Sequence, residues 1–216
     1  MKEGDFITLG CYEGEPIVWR ALTERDGKWL MLSRDILEIR QYHPEDAYEH
    51  LHDYSKDFEA VDWSSCELRE WLNGEFFEKA FTAEEAEQIQ REKVYYSTQY
   101  KTLHSRFSSE RSVEDKVFVL SYGEMTYYLP DSKDRYAGIT VHAKEQLTAP
   151  RALLKNGAWW VRNHPQDNSV NCIGYFYNFL DSGLSDKTVG THVDAKDVGV
   201  RPAIWYRPVD NTGENI

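Results

Sequence analysis

The stretch Ala158-Trp159-Trp160-Val161-Arg162 places two adjacent tryptophans inside an apolar run that ends on an arginine. Side chains alternate across a β-strand, so Trp159 and Trp160 would lie on opposite faces of a sheet. A strand with an indole on each face has to be covered on both sides, which is typical of a central strand. A second run at residues 199–205, Gly-Val-Arg-Pro-Ala-Ile-Trp, has a similar composition. We expect these two segments to lie side by side in the core.

The amino-acid composition indicates one folded domain. The chain has 216 residues, of which Trp, Tyr and Phe make up 14%. This length is sufficient to build one hydrophobic core, and the aromatic content is typical of a packed globule and not of a disordered chain. We predict a single domain over residues 1–210, followed by a flexible tail at 211–216.

Charge and cysteine usage limit the classes of partner. The formal net charge of −12 disfavours nucleic acid and anionic membrane surfaces as partners. No apolar run has the length of a membrane span, and no signal peptide is evident, so we expect a cytoplasmic protein. The odd number of cysteines, namely Cys11, Cys66 and Cys172, fits a reducing compartment.

The N-terminal part of the chain predicts a β-meander. Three short apolar runs, Phe6–Leu9, Pro16–Ala21 and Trp29–Leu32, are separated by turn signals at Gly14 and at Asp26-Gly27. The compact apolar run at residues 117–120 predicts a further strand.

Three capping boxes, each a Ser or Thr followed three residues later by Glu, predict helix starts. The pairs are Ser64 with Glu67, Thr82 with Glu85, and Ser121 with Glu124. The polar span 97–115 predicts a long surface loop. Short strands with a few brief helices between them predict an α+β fold with a mostly antiparallel sheet.

Two local patterns could carry chemistry. His50 and His52 would share one face of an extended segment beside Asp53, as metal chelation requires, but the alternative is a solvated acidic loop, because no third ligand is dictated by spacing. Cys66 would lie in the first turn of a helix, where amide dipoles favour a thiolate, but the alternative is a buried packing residue, because no base can be named beside it. We expect no metal, no catalytic residue and no cofactor.

Arg162 and Arg201 each interrupt an apolar strand. A guanidinium in that position has to find carbonyls, carboxylates or an aromatic face. Both arginines are candidate ligand-binding residues, and the alternative is that each fixes a loop from beneath, because a buried charge is usually paired internally.

A polar segment and an aromatic run in the C-terminal half are the remaining binding candidates. Loops next to central strands commonly carry recognition groups, and aromatic faces beside amides suit sugars and planar ligands, although the same aromatic spacing also serves a core. The candidate residues are Asn163, His164, Asp167, Asn168, Tyr175 and Tyr177.

The chain resembles an uncharacterised bacterial family, the domain of unknown function 6273. The resemblance spans nearly the whole chain. Its motifs are Trp19-Arg20 with Leu22, Trp63 with Leu68-Arg69 and Trp71-Leu72-Asn73, Asp115-Lys116-Val117-Phe118 with Leu120-Ser121, Trp159-Trp160-Val161-Arg162, and Gly199-Val200-Arg201-Pro202-Ala203. In this chain Asn163-His164 follows the tryptophan pair, where the family more often has serine-proline.

That family in turn looks like the C-type-lectin-like fold, which is also used by formylglycine-generating enzymes. In that superfamily a strand ending in glycine-apolar-arginine closes the core, and Gly199-Val200-Arg201 is similar to it. The resemblance implies a fold and leaves function open. The tripeptides of calcium-dependent lectins (Glu-Pro-Asn, Gln-Pro-Asp, Trp-Asn-Asp) are absent, and no copper-binding cysteine pair can be assigned.

We therefore expect a non-catalytic binding module, which presents the loops after Arg162 and around residues 175–183 to a protein, peptide or glycan. One alternative is an enzyme with a site among His164, Asp167 and Arg201. The other is a structural or interaction domain of a bacterial assembly.

Overall fold

A computed structural model of the protein describes residues 1–44, 58–59, 62–101, 106–148, 155–162, 172–177 and 187–209. Side chains are described for residues 1–44, 62–96, 110–148, 155–162 and 193–209. The tail at 211–216 and the histidine segment at 50–53 lie outside these ranges.

The chain consists of runs of short strands with short helices between the runs, as is typical of an α+β fold. The strands are β1 (Phe6–Tyr12), β2 (Glu15–Arg25), β3 (Lys28–Ser33), β4 (Asp35–Ile36), β5 (Glu38–Ile39), β6 (Phe58–Glu59), β7 (Ile89–Gln90), β8 (Glu92–Lys101), β9 (Arg106–Asp115), β10 (Val117–Phe118), β11 (Gly138–Ile139), β12 (Trp159–Trp160), β13 (Cys172–Tyr177), β14 (Lys187–His192), β15 (Gly199–Val200) and β16 (Ala203–Tyr206). The helices are α1 (Glu67–Trp71), a π-helical turn (Leu72–Phe76), α2 (Phe77–Ala80), α3 (Ala83–Gln88), α4 (Tyr122–Tyr128), a 3₁₀ turn (Ser132–Arg135) and α5 (Val141–Gln146).

The predicted N-terminal meander is confirmed, and it forms one side of the first sheet. This sheet has the order β1-β2-β3-β16-β10. The first hairpin turns at Glu13 and Gly14, and the second turns at Asp26 and Gly27, all four with positive φ. Two consecutive residues with positive φ form the turn whose twist matches that of antiparallel strands. The turn signals in the sequence therefore lie at the actual hairpin turns.

The last strand, β16, occupies the centre of this sheet. One edge pairs antiparallel with β3 along its whole length, from Ala203 opposite Leu32 to Tyr206 opposite Trp29. The other edge is shared, because β10 pairs with its first half and β7 with its second half. The C-terminal strand thus joins the meander to the middle of the chain.

The segment of Trp159 and Trp160 pairs with the start of the 199–205 segment in a second sheet, with the order β14-β13-β12-β15-β5, whereas Trp205 lies on β16 in the first sheet. Trp159 lies opposite Gly199 in a parallel pair, and β12 pairs antiparallel with β13 on its other edge. Both indoles are fully buried. Their N–H groups donate to the carbonyls of Arg135 and Arg40, at 3.1 Å and 2.7 Å. The prediction of a central strand covered on both faces is confirmed.

Two of the three predicted capping boxes form. Thr82 with Glu85 and Ser121 with Glu124 each make both reciprocal bonds. The Ser64 box was wrong, because α1 begins at Glu67 after Cys66, with no side-chain cap. The Ser64 hydroxyl instead donates to Oδ1 of Asp62 at 2.6 Å, and the same oxygen accepts the Ser64 N–H. A carboxylate two residues upstream competes successfully for the hydroxyl that the box requires.

The predicted long loop at 97–115 was also wrong. Residues 97–101 and 106–115 belong to β8 and β9, which pair without interruption from Glu92 opposite Asp115 to Lys101 opposite Arg106. The backbone bonds of a hairpin do not depend on side-chain polarity. The polar composition had hidden the strand signal, which rests on apolar alternation.

The buried apolar side chains form one cluster that contains residues of both sheets and of the helices. The pairing is mostly antiparallel, and the exceptions are β12 with β15 and β4 with β11. The predicted α+β class with a mostly antiparallel sheet is confirmed. Within the described ranges no helix has the length and apolar character needed to cross a membrane.

Candidate functional site

Arg162 fixes the point where the chain leaves the second sheet. Its side chain is buried, and its Nε donates to the carbonyl of Tyr95 at 3.0 Å while Nη2 donates to Glu124 at 2.8 Å. Nη1 donates to the Val119 carbonyl. The Arg162 backbone is held as well, because its N–H donates to the carbonyl of Leu120 at 2.9 Å and its carbonyl accepts the Tyr42 hydroxyl at 3.2 Å.

These contacts give the Arg162 guanidinium a structural role. It is bonded to protein groups on β8, at Val119 and on α4, and it is directed away from solvent. The chain is therefore held firmly at Arg162, the residue that precedes Asn163.

Arg201 is also buried, and it is bonded to carbonyls. Its Nε donates to the carbonyl of Ser33 at 2.9 Å and its Nη1 to that of Arg135 at 3.3 Å. The guanidinium lies over the ring of Trp159, with 5.1 Å from Cζ to the ring centroid. Burial, together with the neighbouring Arg20, lowers the pKa of Arg201 to about 9. The group keeps its charge at neutral pH and holds the two sheets together.

The other sequence candidates divide between the two ends of β13. Residues 163–171 connect β12 to Cys172, whereas residues 178–186 connect Tyr177 to Lys187. These connections belong to opposite ends of β13, because the first precedes the strand and the second follows it. Asn163, His164, Asp167 and Asn168 belong to the first connection and, like the metal candidates His50, His52 and Asp53, lie outside the described residues. Tyr175 and Tyr177 are placed by backbone only.

Cys66 is a packing residue in this fold. Its side chain is 2% exposed, and its Sγ donates to the carbonyl of Trp63 at 3.5 Å. Burial raises the pKa of the Cys66 thiol to about 12, which opposes formation of the reactive thiolate. The desolvation cost thus exceeds the effect of the helix start.

Sequence reasoning did not identify a polar cleft beside α1. Its floor is Asp115, which is 1% exposed and accepts the indole N–H of Trp63 at 2.7 Å. Arg69 binds the same carboxylate through Nε at 2.9 Å and through Nη2 at 2.8 Å. The cleft has a volume of about 430 Å³. The sequence did show Arg69 and Asp115 as opposite charges in two of the family motifs. It could not show that the two side chains are in contact.

A second polar cluster joins β1, β5 and α5. The hydroxyl of Tyr12 donates to Oε2 of Glu38 at 2.8 Å, and Nε2 of His142 lies 3.1 Å from the same oxygen. The carboxylate is buried. Burial, together with bonding to Glu38, raises the pKa of Tyr12, so its phenol stays protonated. The contacts of Glu38 with Tyr12 and His142 link β1, β5 and α5. None of these three side chains is an activated nucleophile.

The described residues contain no group of three or more His, Cys, Asp or Glu side chains that could hold a metal ion.

Comparison with family models gives one match, to "Domain of unknown function (DUF6273)", over residues 26–208. The chain belongs to this family. The DUF6273 match begins in the second hairpin and ends just after β16, so it includes Arg162, Arg201 and the cleft of Asp115. No curated protein and no solved structure matches the chain.

Proposed function

We propose that this DUF6273 chain is a non-catalytic recognition module with a C-type-lectin-like fold over residues 1–210. It binds a protein, peptide or glycan through residues 163–168, with a second contact at residues 175–183. The net charge of −12 supports partners other than nucleic acid and anionic membranes. The odd cysteine count supports a cytoplasmic location.

The observation that carries the proposal is the anchoring of Arg162. The side chain and backbone of this residue make five hydrogen bonds to four parts of the fold, on β8, in residues 119–120, on α4 and at Tyr42. Binding sites are commonly loops held by a rigid scaffold. The polar segment that follows Arg162 has such a base.

The position of Arg201 favours binding over catalysis. The enzymatic alternative requires Arg201 to face a substrate together with His164 and Asp167. Its guanidinium instead bonds the carbonyls of Ser33 and Arg135 and stacks on a buried indole. A catalytic role would require this guanidinium to reach a substrate, which the 2% exposure of Arg201 opposes.

Glycan and peptide arrays test the proposal. Wild type is compared with Asp167→Ala and His164→Ala, and Asp131→Ala is the matched control, because Asp131 is an exposed carboxylate in the 3₁₀ region. We expect wild type to bind particular glycans or peptides on the array. Either loop variant should lose this binding, and the control variant should keep it. Thermal unfolding midpoints within the spread of the control show that the loop variants are folded.

Tyr175→Ala, applied to the same arrays, distinguishes binding by residues 175–183 from binding by residues 163–168. Loss of signal in this variant adds residues 175–183 to the binding surface. Equal signal from wild type, Asp167→Ala and His164→Ala would remove residues 163–168 as the recognition site.

A further inference from the structure

We propose that the cleft beside α1 binds a small hydroxyl-bearing anion through the guanidinium groups of Arg69 and Arg91. This site is distinct from residues 163–168 and does not depend on the function proposed above. The chemical class is a ligand with one carboxylate or phosphate group on a polyhydroxylated body, of which a sugar acid is a simple example.

The cleft has the size and lining of a small-molecule site. Its volume of about 430 Å³ lies inside the range of roughly 300–1,000 Å³ that is usual for ligand pockets. It lies between the start of α1, the π-helical turn, and the end of the β8–β9 pair where β8 begins and β9 ends. Its lining includes the side chains of Ser65, Arg69, Glu70, Asn73, Arg91 and Asp115.

Arg69 is held in one orientation by a buried partner. The two bonds from its Nε and Nη2 to Asp115 fix the plane of the guanidinium, and Nη1 donates to the Ser64 carbonyl at 3.3 Å. Asp115 is itself fixed by the Trp63 indole. Such a chain of bonds orders a cation before any ligand arrives, which reduces the entropy cost of binding.

Both arginines keep donors for a ligand. A guanidinium has five N–H groups, two on each terminal nitrogen, so the three contacts of Arg69 leave one N–H on Nη1 and one on Nη2. Arg91 is exposed, and its Nη1 donates to the Glu114 carbonyl at 3.2 Å. Guanidinium forks match the oxygens of carboxylate and phosphate.

The charges that line the cleft are balanced although the whole chain is acidic, because Arg69 and Arg91 lie there with Asp115 and Glu70. Of the carboxylates around the cleft, Asp115 is bonded to Arg69 and Trp63, and Glu92, next to Arg91 in sequence, pairs with Lys28 and Arg25. Glu70 is exposed at the rim of the cleft, where its carboxylate can accept hydrogen bonds from hydroxyl groups of a ligand. Glu70 would repel an anionic group at the rim, so a ligand with a single anionic group at the arginines and hydroxyl groups near Glu70 fits best.

The backbone at the cleft has an uncommon form. Leu72–Phe76 is a π-helical turn, a feature often found at functional sites. Asn73 holds it in place, because its Nδ2 donates to the carbonyls of Arg69 and Val117, and its Oδ1 accepts the Lys116 N–H at 2.9 Å. Gly74 lines the cleft, and a Cβ there would meet nothing within 4 Å.

That open position permits a blocking variant that leaves the Arg69–Asp115 pair intact. Gly74→Phe should fill the cleft without backbone strain, since Gly74 does not have the positive φ that disfavours other residues. Arg91→Gln removes the exposed guanidinium charge. Arg34→Gln is the matched control, because Arg34 is an exposed arginine on the β3–β4 connection, outside the lining of the cleft.

Calorimetry or amide NMR titration with D-glucuronate, inorganic phosphate and D-glucose tests the site. We expect wild type to bind glucuronate, phosphate or both at millimolar or lower concentration and not glucose. Binding of one anion alone identifies the carboxylate or the phosphate as its anionic group. Loss of a charged hydrogen bond should weaken binding at least about tenfold in Arg91→Gln, and Gly74→Phe should abolish it. Arg34→Gln and Asp167→Ala should bind as wild type does.

Three results would overturn the proposal. These are no binding of either anion, equal binding of glucose, or unchanged anion affinity in a folded Gly74→Phe variant. Because Asp167→Ala tests the loop function on the arrays and serves as a control here, failure of one proposal is distinguishable from failure of the other.

Discussion

The carboxylate of Glu124 serves Arg162 and the start of α4 at the same time. Its Oε2 accepts Nη2 of Arg162 at 2.8 Å and the backbone N–H of Ser121 at 2.7 Å. Arg162 is almost completely buried, with a side chain that is 1% exposed, whereas Glu124 is 34% exposed. One oxygen thus compensates a buried charge and caps a helix.

Glu124→Gln should destabilise the fold although it keeps a cap acceptor. The amide removes the negative charge that compensates Arg162, and we expect the free energy of unfolding to fall by about 1–3 kcal/mol. Urea denaturation measures it. Glu85→Gln is the control, because Glu85 completes the other capping box and accepts the Gly10 N–H, with no arginine bonded to it. A loss in Glu85→Gln as large as that in Glu124→Gln would assign the whole effect to capping.

Cysteine alkylation should distinguish two thiols in the native protein. Cys11 is exposed, whereas Cys66 is buried and its pKa is raised to about 12. Native protein treated with iodoacetamide at mildly alkaline pH should be modified at Cys11 and not at Cys66, as read by peptide mass spectrometry. Cys66 should react once urea unfolds the chain. Rapid modification of Cys66 under native conditions would contradict its assignment as a packing residue.

The same thiol makes stability depend on alkaline pH. Between the ordinary thiol pKa of 9.0 and the folded pKa of about 12, the unfolded chain carries a thiolate while the native chain keeps its proton. The unfolded state then binds fewer protons, so the free energy of unfolding falls as pH rises, by about 1.4 kcal/mol per pH unit from this group. A Cys66→Ala variant, compared with wild type from pH 8 to about 10, should show a shallower decline. Equal slopes would show that the thiol contributes nothing.

His43 should make the protein sensitive to mild acid. Its Nδ1 accepts the Glu67 N–H at 3.2 Å, a bond that needs the neutral ring, and burial lowers the pKa of His43 below its usual 6.5. Stability from this group is complete above pH 6.5 and is lost as pH falls through that value toward the folded pKa, because the unfolded chain takes up the proton first. His43→Asn keeps an acceptor that does not titrate. We expect wild type to lose more stability than this variant between pH 7.5 and about 5.5.

Two glycines with positive φ should respond differently to alanine. Gly10, at the irregularity in β1, would place a Cβ 2.6 Å from the carbonyl oxygen of Ala80 and 2.8 Å from the ring of Phe81. Gly14, in the first hairpin turn, would meet nothing within 4 Å. Gly14→Ala should cost the backbone strain alone, about 1 kcal/mol. Gly10→Ala should cost about 1–3 kcal/mol more, measured by chemical denaturation. Equal losses would exclude the close approach of α2 to β1.

The sequence predicted those parts of the fold in which local chemistry and tertiary packing agree. Trp159 and Trp160 require burial on both faces, and the pairs Thr82–Glu85 and Ser121–Glu124 are complete within four residues. Sequence could not show that Asp62 would bind the Ser64 hydroxyl, because two local motifs compete there and packing decides between them. Nor could it show the β8–β9 hairpin, whose polar strands lack apolar alternation.

The candidate sites were harder to predict for a related reason. The sequence placed Arg162 and Arg201 within apolar strands, whereas Arg162 follows β12 and Arg201 lies between β15 and β16. Only the fold shows which carbonyls bind them. Arg69, Arg91 and Asp115 come from separate parts of the chain and meet through tertiary structure alone. One sequence alone gives no information on the distances between these three side chains.

The central place of β16 has a consequence for folding. Trp29–Leu32 and Ala203–Tyr206 are neighbours in the sheet although almost the whole chain separates them, and β7 and β10 also need β16 as their partner. Chains dominated by such distant pairings fold slowly, because the entropy of closing a long loop is lost before the contacts form. A nascent chain still on the ribosome would lack its middle strand until synthesis has passed Tyr206, and its exposed strand edges would make it a substrate for chaperones until then.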